Sequence, residues 1–433
     1  MAQTSLSAQE PKTKVVVVGS GTAGITLTSQ LMRKDPTMEV TIVSGAQKHY
    51  YQPLWSLVGA GLKAYGDSER DTESIIPAGA RWVQEDAAAL DPTAKKVVTQ
   101  SGKEVPYDYL VLAAGLTTDW DGIPGLQENL AKNGVVSNYA GGQCTWEAVR
   151  SLPKDKDCTV LFTFPSTTTK CGGAPQKAMY MSEDYWKHQG YDMKRIHISF
   201  CTPSGTMFPV KKYCSRLQEI CEERGIHQRF GHALTAIEVS PDGARRTAVF
   251  TVKDPKDAAA PPETVRLPFD ILHVGPPMSA PRFLRGSPVA NAQGFVEVDQ
   301  ATLQSPKFPN VFGLGDCSSL PTSKTAAAVC KQVPVAVRNL LDHKAGRPLS
   351  AKYNGYASCP LLTGAHPRSL LMMEFGYGGE VMESLPWDQG HEGGLRGRFH
   401  YLLKDTVFPF VYWNLLLKGR WYGPTGPFEP SMA

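Results

Sequence analysis

Short runs of apolar residues recur along the chain, and several lead through a turn into a longer segment with helical periodicity. The runs at 14–18 (KVVVV), 109–112 (YLVL) and 158–164 (CTVLFTF) lack the polar alternation of a strand with one wet face. They therefore predict strands that are buried on both faces, as in parallel sheets. Strands of this kind that alternate with helices predict an α/β fold.

The first apolar run leads into a Gly-x-Gly-x-x-Gly turn at 19–24, and an apolar-periodic helix follows. In that setting the motif predicts a dinucleotide-binding loop. Gly19 permits the turn, Gly21 lets the backbone approach a pyrophosphate at the helix N-terminus, and Gly24 allows close packing of helix on strand. Thr22 and Ala23, which share this loop, are also predicted to contact the cofactor.

The next strand ends at Ser44, where dinucleotide-binding folds usually carry an acid for the ribose. A serine hydroxyl can still hydrogen-bond a ribose. The aromatic loop that follows, HYYQPLWSLVGAGL, could cover a flat cofactor, with the amide of Gln52 directed at it. Ala87 is a further candidate for cofactor contact.

Two later segments indicate which dinucleotide is bound. One strand ends in small residues that include Ala114 and Gly115, and another ends at Gly315-Asp316 before a helix that starts near 324–327. In flavoproteins with two dinucleotide-binding domains, similar segments hold the ribityl chain and direct a helix N-terminus at the flavin. That terminus stabilises the negative charge of the reduced ring. We therefore expect bound FAD, with these further contacts: Asp316, Lys324, Thr325, Ala326 and Ala327.

The middle of the chain repeats the strand–turn–helix pattern, but its loop reads PSTTTKCGGAP and lacks a glycine fingerprint. Reduced nicotinamide is therefore not the expected electron donor. Cys171 instead occupies the turn, before a helix and close in sequence to Lys170 and Lys177. A helix N-terminus and nearby cations both favour a thiolate.

Nine cysteines, an odd number without a C-x-x-C pair, argue against a disulfide scaffold or a zinc ribbon, and we expect no metal site. A thiolate that reacts with a flavin usually needs a second thiol. Cys359, in a segment bounded by glycine and proline, is the candidate partner. Cys317 and Cys330 flank the predicted flavin helix and remain rivals on sequence alone, although both are interpreted as core residues.

Seven stretches together resemble the sulfide:quinone oxidoreductase family, in particular its mitochondrial branch. They cover nearly the whole chain: VGSGTAGIT, HYYQPLWSLVGAG, FTFPSTTTKCGGAPQKAMY, HVGPPMSAP, VFGLGDCSSLPTSKTAAAV, KYNGYASCPLLTG and FPFVYWNLLLKGRWYGP. The resemblance implies two Rossmann-like domains of the FAD/NAD(P)-disulfide reductase type. It also implies a redox-active pair, Cys171 and Cys359, with Lys177 and Lys404 as cationic candidates at the catalytic site.

The same resemblance implies a reaction. Hydrogen sulfide attacks the oxidised pair, and Cys359 receives the sulfane sulfur as a persulfide. An acceptor (sulfite, glutathione, cyanide or sulfide) removes that sulfur, and two electrons pass through FAD to a quinone, expected to be ubiquinone. Two alternatives are a type II NADH:quinone oxidoreductase, which needs the missing nucleotide fingerprint, and a non-enzymatic membrane-bound flavin or sulfur carrier.

The C-terminal segment predicts a membrane contact. No run of 18 apolar residues exists, but 406–417 (TVFPFVYWNLLL) is strongly apolar. We expect Pro409 to divide the segment into two short helices that lie in a membrane interface and admit the quinone. The segment from about Leu395 is expected to serve docking rather than sulfide chemistry. The predicted membrane face is Phe399, Tyr401, Leu402, Phe408, Phe410, Trp413 and Leu416, beside Arg396, Arg398, Lys418 and Arg420.

These assignments predict the following organisation: a disordered arm at 1–13, an FAD-binding domain at 14–140 and 295–350, a second Rossmann-like domain at 141–294, and a quinone and membrane segment at 351–433. The net charge of +4 is too small to suggest a nucleic-acid partner. We expect a peripheral membrane protein, at the mitochondrial inner membrane if the source is a eukaryote.

Overall fold

The computed structural model describes residues 12–257 and 259–429, so most of the arm expected at 1–13 lies outside the described residues. The strands, in chain order, are β1 Lys14–Val18, β2 Glu39–Val43, β3 Lys48–Tyr50, β4 Glu69–Asp71, β5 Arg81–Val83, β6 Ala87–Asp91, β7 Lys96–Thr99, β8 Glu104–Pro106, β9 Tyr109–Leu112, β10 Thr117–Thr118, β11 Val135–Val136, β12 Cys158–Thr163, β13 Ile196–Cys201, β14 His227–Arg229, β15 His232–Val239, β16 Arg246–Val252, β17 Glu263–Pro268, β18 Ile271–His273, β19 Met278–Ser279, β20 Val311–Gly313, β21 Ala357–Ala365 and β22 Arg368–Phe375. The helices are α1 Thr22–Lys34, α2 Trp55–Val58, α3 Thr72–Ile75, α4 Leu126–Asn129, α5 Gln143–Arg150, α6 Ala174–His188, α7 Lys211–Glu223, α8 Ala326–Lys344, α9 Gly394–Leu402 and α10 Phe408–Val411.

The first apolar run forms the centre of a five-stranded parallel sheet with the order β20-β9-β1-β2-β5. Val15 to Val18 are almost completely buried, as expected for a strand that is covered on both faces. Helices α1 and α8 pack against each other beside this sheet. The predicted α/β fold is confirmed.

A second parallel sheet has the order β11-β18-β12-β13-β14. Helices α6 and α7 pack against one face of this sheet and form one core with it. The antiparallel sheet β15-β16-β17 packs against the opposite face and forms a second core. The sheet takes in Val135–Val136, which precedes residue 141. The domain boundaries given above stay a prediction.

A long hairpin, β21–β22, bridges the two halves of the chain. It contacts α6 on one side, and it also contacts α8 and α9. Leu361 and Leu371 of the hairpin lie in the core of the second sheet, whereas Leu362 and Leu370 lie in the core of the first. Alternate side chains of one hairpin therefore join the two cores, as the period of two in a β-strand allows.

The C-terminal segment remains helical without a break from Gly394 to Leu416, so the prediction that Pro409 divides it into two helices is wrong. Residues 403–407 and 412–416 are π-helical, with α10 between them. Proline has no N–H to donate, and the neighbouring i→i−5 hydrogen bonds, such as Leu417 N–H to Tyr412 O, keep the chain helical around it. No helix among the described residues is both long and apolar enough to cross a membrane.

The end of this segment is attached to α1. Ser29 Oγ donates a hydrogen bond to Leu417 O at 2.6 Å, and Arg33 donates to Gly419 O at 3.0 Å. Gly419 has a φ of 67°, and a β-carbon there would lie 2.8 Å from Gln30 N. The chain at 417–419 therefore packs closely against the helix that follows the glycine-rich loop.

Candidate active site

Cys171 lies in the loop between β12 and α6, just before the helix N-terminus. Its N–H donates to Lys324 O at 2.9 Å, and its carbonyl accepts from Ala174 N–H at 2.8 Å. The first bond joins the cysteine loop to the segment that leads into α8. The sequence predicted both helix starts but not their contact.

Cys359 of β21 lies beside Cys171, with the two sulfurs 3.8 Å apart across 188 residues of sequence. The rivals lie elsewhere: Cys317 Sγ donates to Leu112 O at 3.5 Å, and Cys330 Sγ donates to Ala326 O at 3.2 Å. Both rivals are buried, and burial raises the pKa of Cys317 to about 11 and that of Cys330 to about 12. The structure therefore brings Cys359 to Cys171, whereas the rivals are inert core thiols.

The residue two positions after Cys171 provides room for its partner. A β-carbon on Gly173 would lie 2.6 Å from Cys359 Sγ and 3.2 Å from Leu361 Cδ1. On Gly172 the nearest atom would be 3.6 Å away, on the ring of Phe164, which is an ordinary contact. Only the second glycine of the Cys-Gly-Gly sequence is required by the spacing of the sulfurs.

Lys177 provides the cation for this pair, because from the first turn of α6 its Nζ donates to Cys171 Sγ at 3.0 Å. The hydrogen bond with Cys359, followed by the charge of Lys177, holds the pKa of Cys171 well below its usual value. The same bond to Cys171, with burial, raises the pKa of Cys359 well above its own. Burial opposes the charge of Lys177, but the two sulfurs outweigh burial and raise its pKa. These shifts favour a thiolate at Cys171 and a thiol at Cys359.

Lys404 enters the same site from the C-terminal segment. It is 4% exposed, and its Nζ donates to Pro53 O at 3.1 Å. Burial and the charge of Lys177 lower the pKa of Lys404 to about 7, although the two cysteine sulfurs act in the opposite direction. The segment from about Leu395 thus places a second buried lysine near the cysteine pair, and the expectation that it serves docking rather than sulfide chemistry stays a prediction.

The glycine-rich loop has the form of a phosphate site. Gly19 has a φ of 109°, and its missing β-carbon avoids Ala113 O, while a β-carbon on Gly24 would lie 1.9 Å from Gly19 O. A β-carbon on Gly21 would meet no described atom within 4 Å, and Gly21 caps α1 without a side-chain hydrogen bond. The first turn of α1 therefore offers open backbone donors, which is what a pyrophosphate needs.

A second helix N-terminus and an acid lie beside this loop. A β-carbon on Gly315 would be 3.2 Å from Ala23 Cβ, so the Asp316 segment adjoins α1. Burial raises the pKa of Asp316, against the charges of Lys170 and Lys324, and its carboxylate has no hydrogen bond with another described residue. An unpartnered acid close to the uncapped start of α1 and to the segment that leads into α8 fits the hydroxyl-rich chain of a flavin dinucleotide.

The remaining predicted contacts surround the same loops. Ser44 is buried, and its Oγ accepts from Ser20 Oγ at 2.9 Å and from Ala46 N–H at 3.4 Å. Lys324 Nζ donates to Ser318 O at 2.6 Å, so this ammonium group stabilises its own loop. The other predicted contacts are placed as follows: Gln52 in a single 3-10 turn, Ala87 at the start of β6, Ala114 and Gly115 just after β9, Thr325 as the N-cap of α8, and Ala326 and Ala327 in its first turn.

The comparisons with known proteins agree with this geometry. The family description "Pyridine nucleotide-disulphide oxidoreductase" matches residues 13–143. The mitochondrial sulfide:quinone oxidoreductase of Dictyostelium discoideum is 44% identical over 422 residues, which are 96% of this chain and 89% of that protein. The protein of the same name from Mus musculus is 45% identical over 414 residues, 95% of this chain and 88% of that one.

The chain belongs to the sulfide:quinone oxidoreductase family. The fold agrees, since the crystal structure of the sulfide:quinone oxidoreductase from Aquifex aeolicus matches with a TM-score of 0.76 at 20% identity, over 94% of this chain and 92% of that one. The resemblance found in the sequence is thus confirmed, and membership of this oxidoreductase family implies a flavin cofactor.

Sequence reasoning missed several residues of the site. Tyr139 donates its hydroxyl to Lys170 O at 2.9 Å, and nothing in its sequence context marks it. His49 accepts from Tyr412 at 2.6 Å, and Tyr412 is in turn 2.8 Å from the Thr22 hydroxyl. The Cys-Gly-Gly sequence was a usable signal for Gly173, because glycine permits the close approach of another group to the backbone.

Gly21→Ala and Gly24→Ala separate cofactor binding from folding. Gly24→Ala should lower the free energy of unfolding by about 1–3 kcal/mol or more even in cofactor-free protein, because the new methyl overlaps Gly19 O. Gly21→Ala should change that energy by less than about 0.5 kcal/mol, yet retain less flavin. Thermal unfolding of apoprotein and flavin absorbance after gel filtration measure the two effects. An equal decrease in the free energy of unfolding of the two variants would contradict the assignment of this loop as a cofactor-binding loop.

Gly173→Ala should displace Cys359, whereas Gly172→Ala should not. Under a mild thiol oxidant, the disulfide between Cys171 and Cys359 should form at least about tenfold more slowly in Gly173→Ala, because a 2.6 Å overlap forces the sulfur away. Peptide mapping by mass spectrometry follows the bond, with Gly172→Ala as the matched control. Equal rates of disulfide formation in the two variants would show that the loop moves to accommodate the methyl group and that Cys359 stays in place.

Proposed function

We propose that this protein oxidises hydrogen sulfide with the pair Cys171 and Cys359 and passes two electrons through FAD to a quinone. The observation that carries the proposal is the contact of Cys171 Sγ with both Lys177 Nζ, at 3.0 Å, and Cys359 Sγ, at 3.8 Å. It supports a thiolate and a second thiol poised to form and break one disulfide, beside two helix starts that fit a flavin dinucleotide.

In the first step, hydrosulfide attacks Cys359 of the oxidised pair. The new bond makes Cys359 a persulfide, the bond between the cysteines breaks, and Cys171 leaves as a thiolate. Lys177 stabilises that leaving group by direct contact, since a thiolate with a lowered pKa leaves faster. The raised pKa of Cys359 fits its role as the sulfur that carries the persulfide rather than the one that leaves.

In the second step, an acceptor nucleophile takes the sulfane sulfur and leaves Cys359 as a thiol. Sulfite, glutathione, cyanide and a second sulfide all have the required chemistry. Lys404 has a pKa of about 7, so near neutral pH it can attract an incoming anion or take up a proton. When the two cysteines close their disulfide again, bound FAD supplies two-electron acceptor chemistry and links the site to a quinone.

The residues proposed to hold FAD follow from the two helix starts. The backbone of 19–24 takes the pyrophosphate, Asp316 takes ribityl hydroxyls, and the first turn of α8 faces the flavin ring. Ser44 is proposed to face the adenosine ribose, although its hydroxyl already accepts two internal hydrogen bonds. Gln52 and Ala87 remain proposed contacts.

The outer face of the C-terminal segment is proposed to dock on a membrane and admit the quinone, expected to be ubiquinone. Tyr401 and Leu416 were predicted for this face but lie in the core at 3% exposure. Phe408 and Trp413 are partly buried. The outward apolar side chains are Leu395, Phe399, Leu402 and Phe410, and the basic residues Arg396, Arg398, Lys418 and Arg420 are all exposed. Such a mixture suits an interface with anionic headgroups.

The proposed location is the mitochondrial inner membrane, as a peripheral protein, if the source is a eukaryote. The names of the relatives from Dictyostelium discoideum and Mus musculus support a mitochondrial setting. The proposed partners are hydrogen sulfide, the quinone and the sulfane-sulfur acceptor.

Absorbance spectroscopy of the purified flavoprotein tests the proposal against its alternatives. Anaerobic sulfide should bleach the flavin, and added quinone should restore the colour. Bleaching by NADH but not by sulfide would favour a type II NADH:quinone oxidoreductase. No bleaching by either donor would favour a flavin or sulfur carrier.

Cys171→Ser and Cys359→Ser should each lower sulfide-dependent flavin reduction by on the order of 10³-fold or more while the flavin stays bound, because each removes an essential sulfur. Stopped-flow absorbance measures the rate. Cys317→Ser and Cys330→Ser are matched controls, since their sulfurs donate only to backbone carbonyls. Near-normal rates in either of the first two variants would rule out the pair.

Replacing both Leu402 and Phe410 with serine should weaken binding to anionic vesicles by about two to four orders of magnitude, since each outward side chain contributes about 1.5–3 kcal/mol when buried. Vesicle sedimentation measures the affinity. Val381→Ser, which changes an exposed apolar residue outside the helical run Gly394–Leu416, is the control. Single-turnover reduction by sulfide should persist. If the double variant sediments with the vesicles as well as the unmodified protein, this face does not bind membranes.

A further inference from the structure

Cys171 has an unusual backbone conformation. Its φ is 44°, in the left-handed region that side chains with a β-carbon rarely adopt. The two glycines that follow could take such a φ without strain, yet neither does, and Gly173 has a φ of −85°. The strain therefore falls on the residue that carries the sulfur. Such a conformation persists only where the surroundings fix it.

Three sets of hydrogen bonds fix the loop. Two are between backbone groups, from Cys171 N–H to Lys324 O and from Ala174 N–H to the Cys171 carbonyl. The third comes from a side chain, because the Tyr139 hydroxyl donates to Lys170 O at 2.9 Å and lies 3.4 Å from the Cys171 carbonyl. Tyr139 is thus the side chain that contacts both peptide carbonyls around the strained residue.

Tyr139 is itself held in place. It lies in the 3-10 turn Asn138–Ala140 that follows β11. The Ser137 hydroxyl accepts from Tyr139 N–H at 3.2 Å and donates to Val274 O at 2.7 Å, which attaches the turn to the end of β18. Burial, with the charge of Cys171, raises the pKa of Tyr139, so its hydroxyl keeps its proton and remains a donor.

We propose that Tyr139 is a positioning residue that holds Cys171 in the left-handed conformation and so keeps its sulfur between Lys177 and Cys359. It acts through the backbone of 170–171 rather than by touching the reacting sulfur. This inference rests on the proposed function only for the importance of that sulfur to sulfide oxidation. The position and reactivity of the sulfur can be tested without sulfide.

Loss of the hydroxyl allows the loop to relax toward negative φ, which moves Cys171 Sγ away from the 3.0 Å contact with Lys177 Nζ. The charged and titratable groups that face the sulfur come from every neighbouring element: Cys359 of β21, Lys177 of α6, Lys404 of the C-terminal segment and Asp316 after β20. Since the lysines stabilise the thiolate, a displaced sulfur should titrate at higher pH.

The experiment is Tyr139→Phe in the full-length, flavin-bound protein with its cysteine pair reduced. Iodoacetamide alkylation of Cys171 is followed across pH by mass spectrometry, which separates this peptide from those of the other cysteines. The reaction near neutral pH should slow by about 2- to 12-fold, the population change expected for one hydrogen bond of ordinary strength. The midpoint of the profile should move to higher pH.

Tyr107→Phe is the matched control, because the Tyr107 hydroxyl is also buried but has no hydrogen-bond partner among the described residues. Its profile should equal that of the unmodified protein. Ser137→Ala keeps the Tyr139 hydroxyl but removes its anchor, and it should give a smaller shift in the same direction. This variant also provides the test if Tyr139→Phe does not fold.

An unchanged profile in Tyr139→Phe, or equal changes in Tyr139→Phe and Tyr107→Phe, overturns the proposal. Sulfide is absent from this assay, so its outcome is independent of the proposed reaction. If sulfide fails to bleach the flavin of the unmodified protein while Tyr139→Phe shifts the profile, the proposed function falls and the positioning role stands.

Discussion

The site depends on a half-buried thiolate and the cations that stabilise it. An isolated charge is costly to remove from water, so a thiolate in this interior requires a cation in contact. Lys177 provides that contact and is itself buried, so the thiolate and the ammonium group stabilise each other. Lys404 is buried without such a contact, and burial, followed by the charge of Lys177, lowers its pKa to about 7. One lysine is thus fixed as a cation while the other can change its charge near neutral pH.

The fold brings these groups together from three distant parts of the chain. Cys171 follows a strand of the second sheet, Lys177 lies on the helix after it, Cys359 lies on the bridging hairpin, and Lys404 lies on the C-terminal helix. The hydrogen bond from Cys171 N–H to Lys324 O then joins this cluster to the start of α8. The same backbone contact that places the cysteine loop also places it beside the helix proposed to face the flavin.

Local patterns were sufficient for features that depend on local backbone geometry. The glycine spacing at 19–24, the buried strands and the helix start at Ala326 all follow from short-range sterics and periodicity. Contacts between residues that are distant in sequence could not be predicted from local patterns. Nothing near Cys359 in sequence places it 3.8 Å from Cys171, and nothing near Tyr139 shows that it binds the loop at 170–171.

The C-terminal segment was misjudged for a related reason. Proline is a reliable breaker of α-helices, but the π-helical turns beside Pro409 allow the helix to continue, and no local signal predicts them. The continuous helix also turns Tyr401 and Leu416 inward. Some of its apolar residues therefore pack into the core and others lie on the exterior, and composition alone does not predict which.

Because one helix has a buried side and an exposed side, the buried lysine lies only a short distance from the outer surface of the protein. Lys404 is buried and lies within the electrostatic influence of the two sulfurs, while Leu402 and Phe410 of the same helical run face outward. A helix with its side chains is about 10–12 Å wide, so little more than that thickness separates the ammonium group from the outer surface. A change of charge at Lys404 is therefore a change of electrostatic field close beneath that surface. Any molecule that settles there, whether a lipid headgroup or the ring of a quinone, is within electrostatic reach of the chemistry inside.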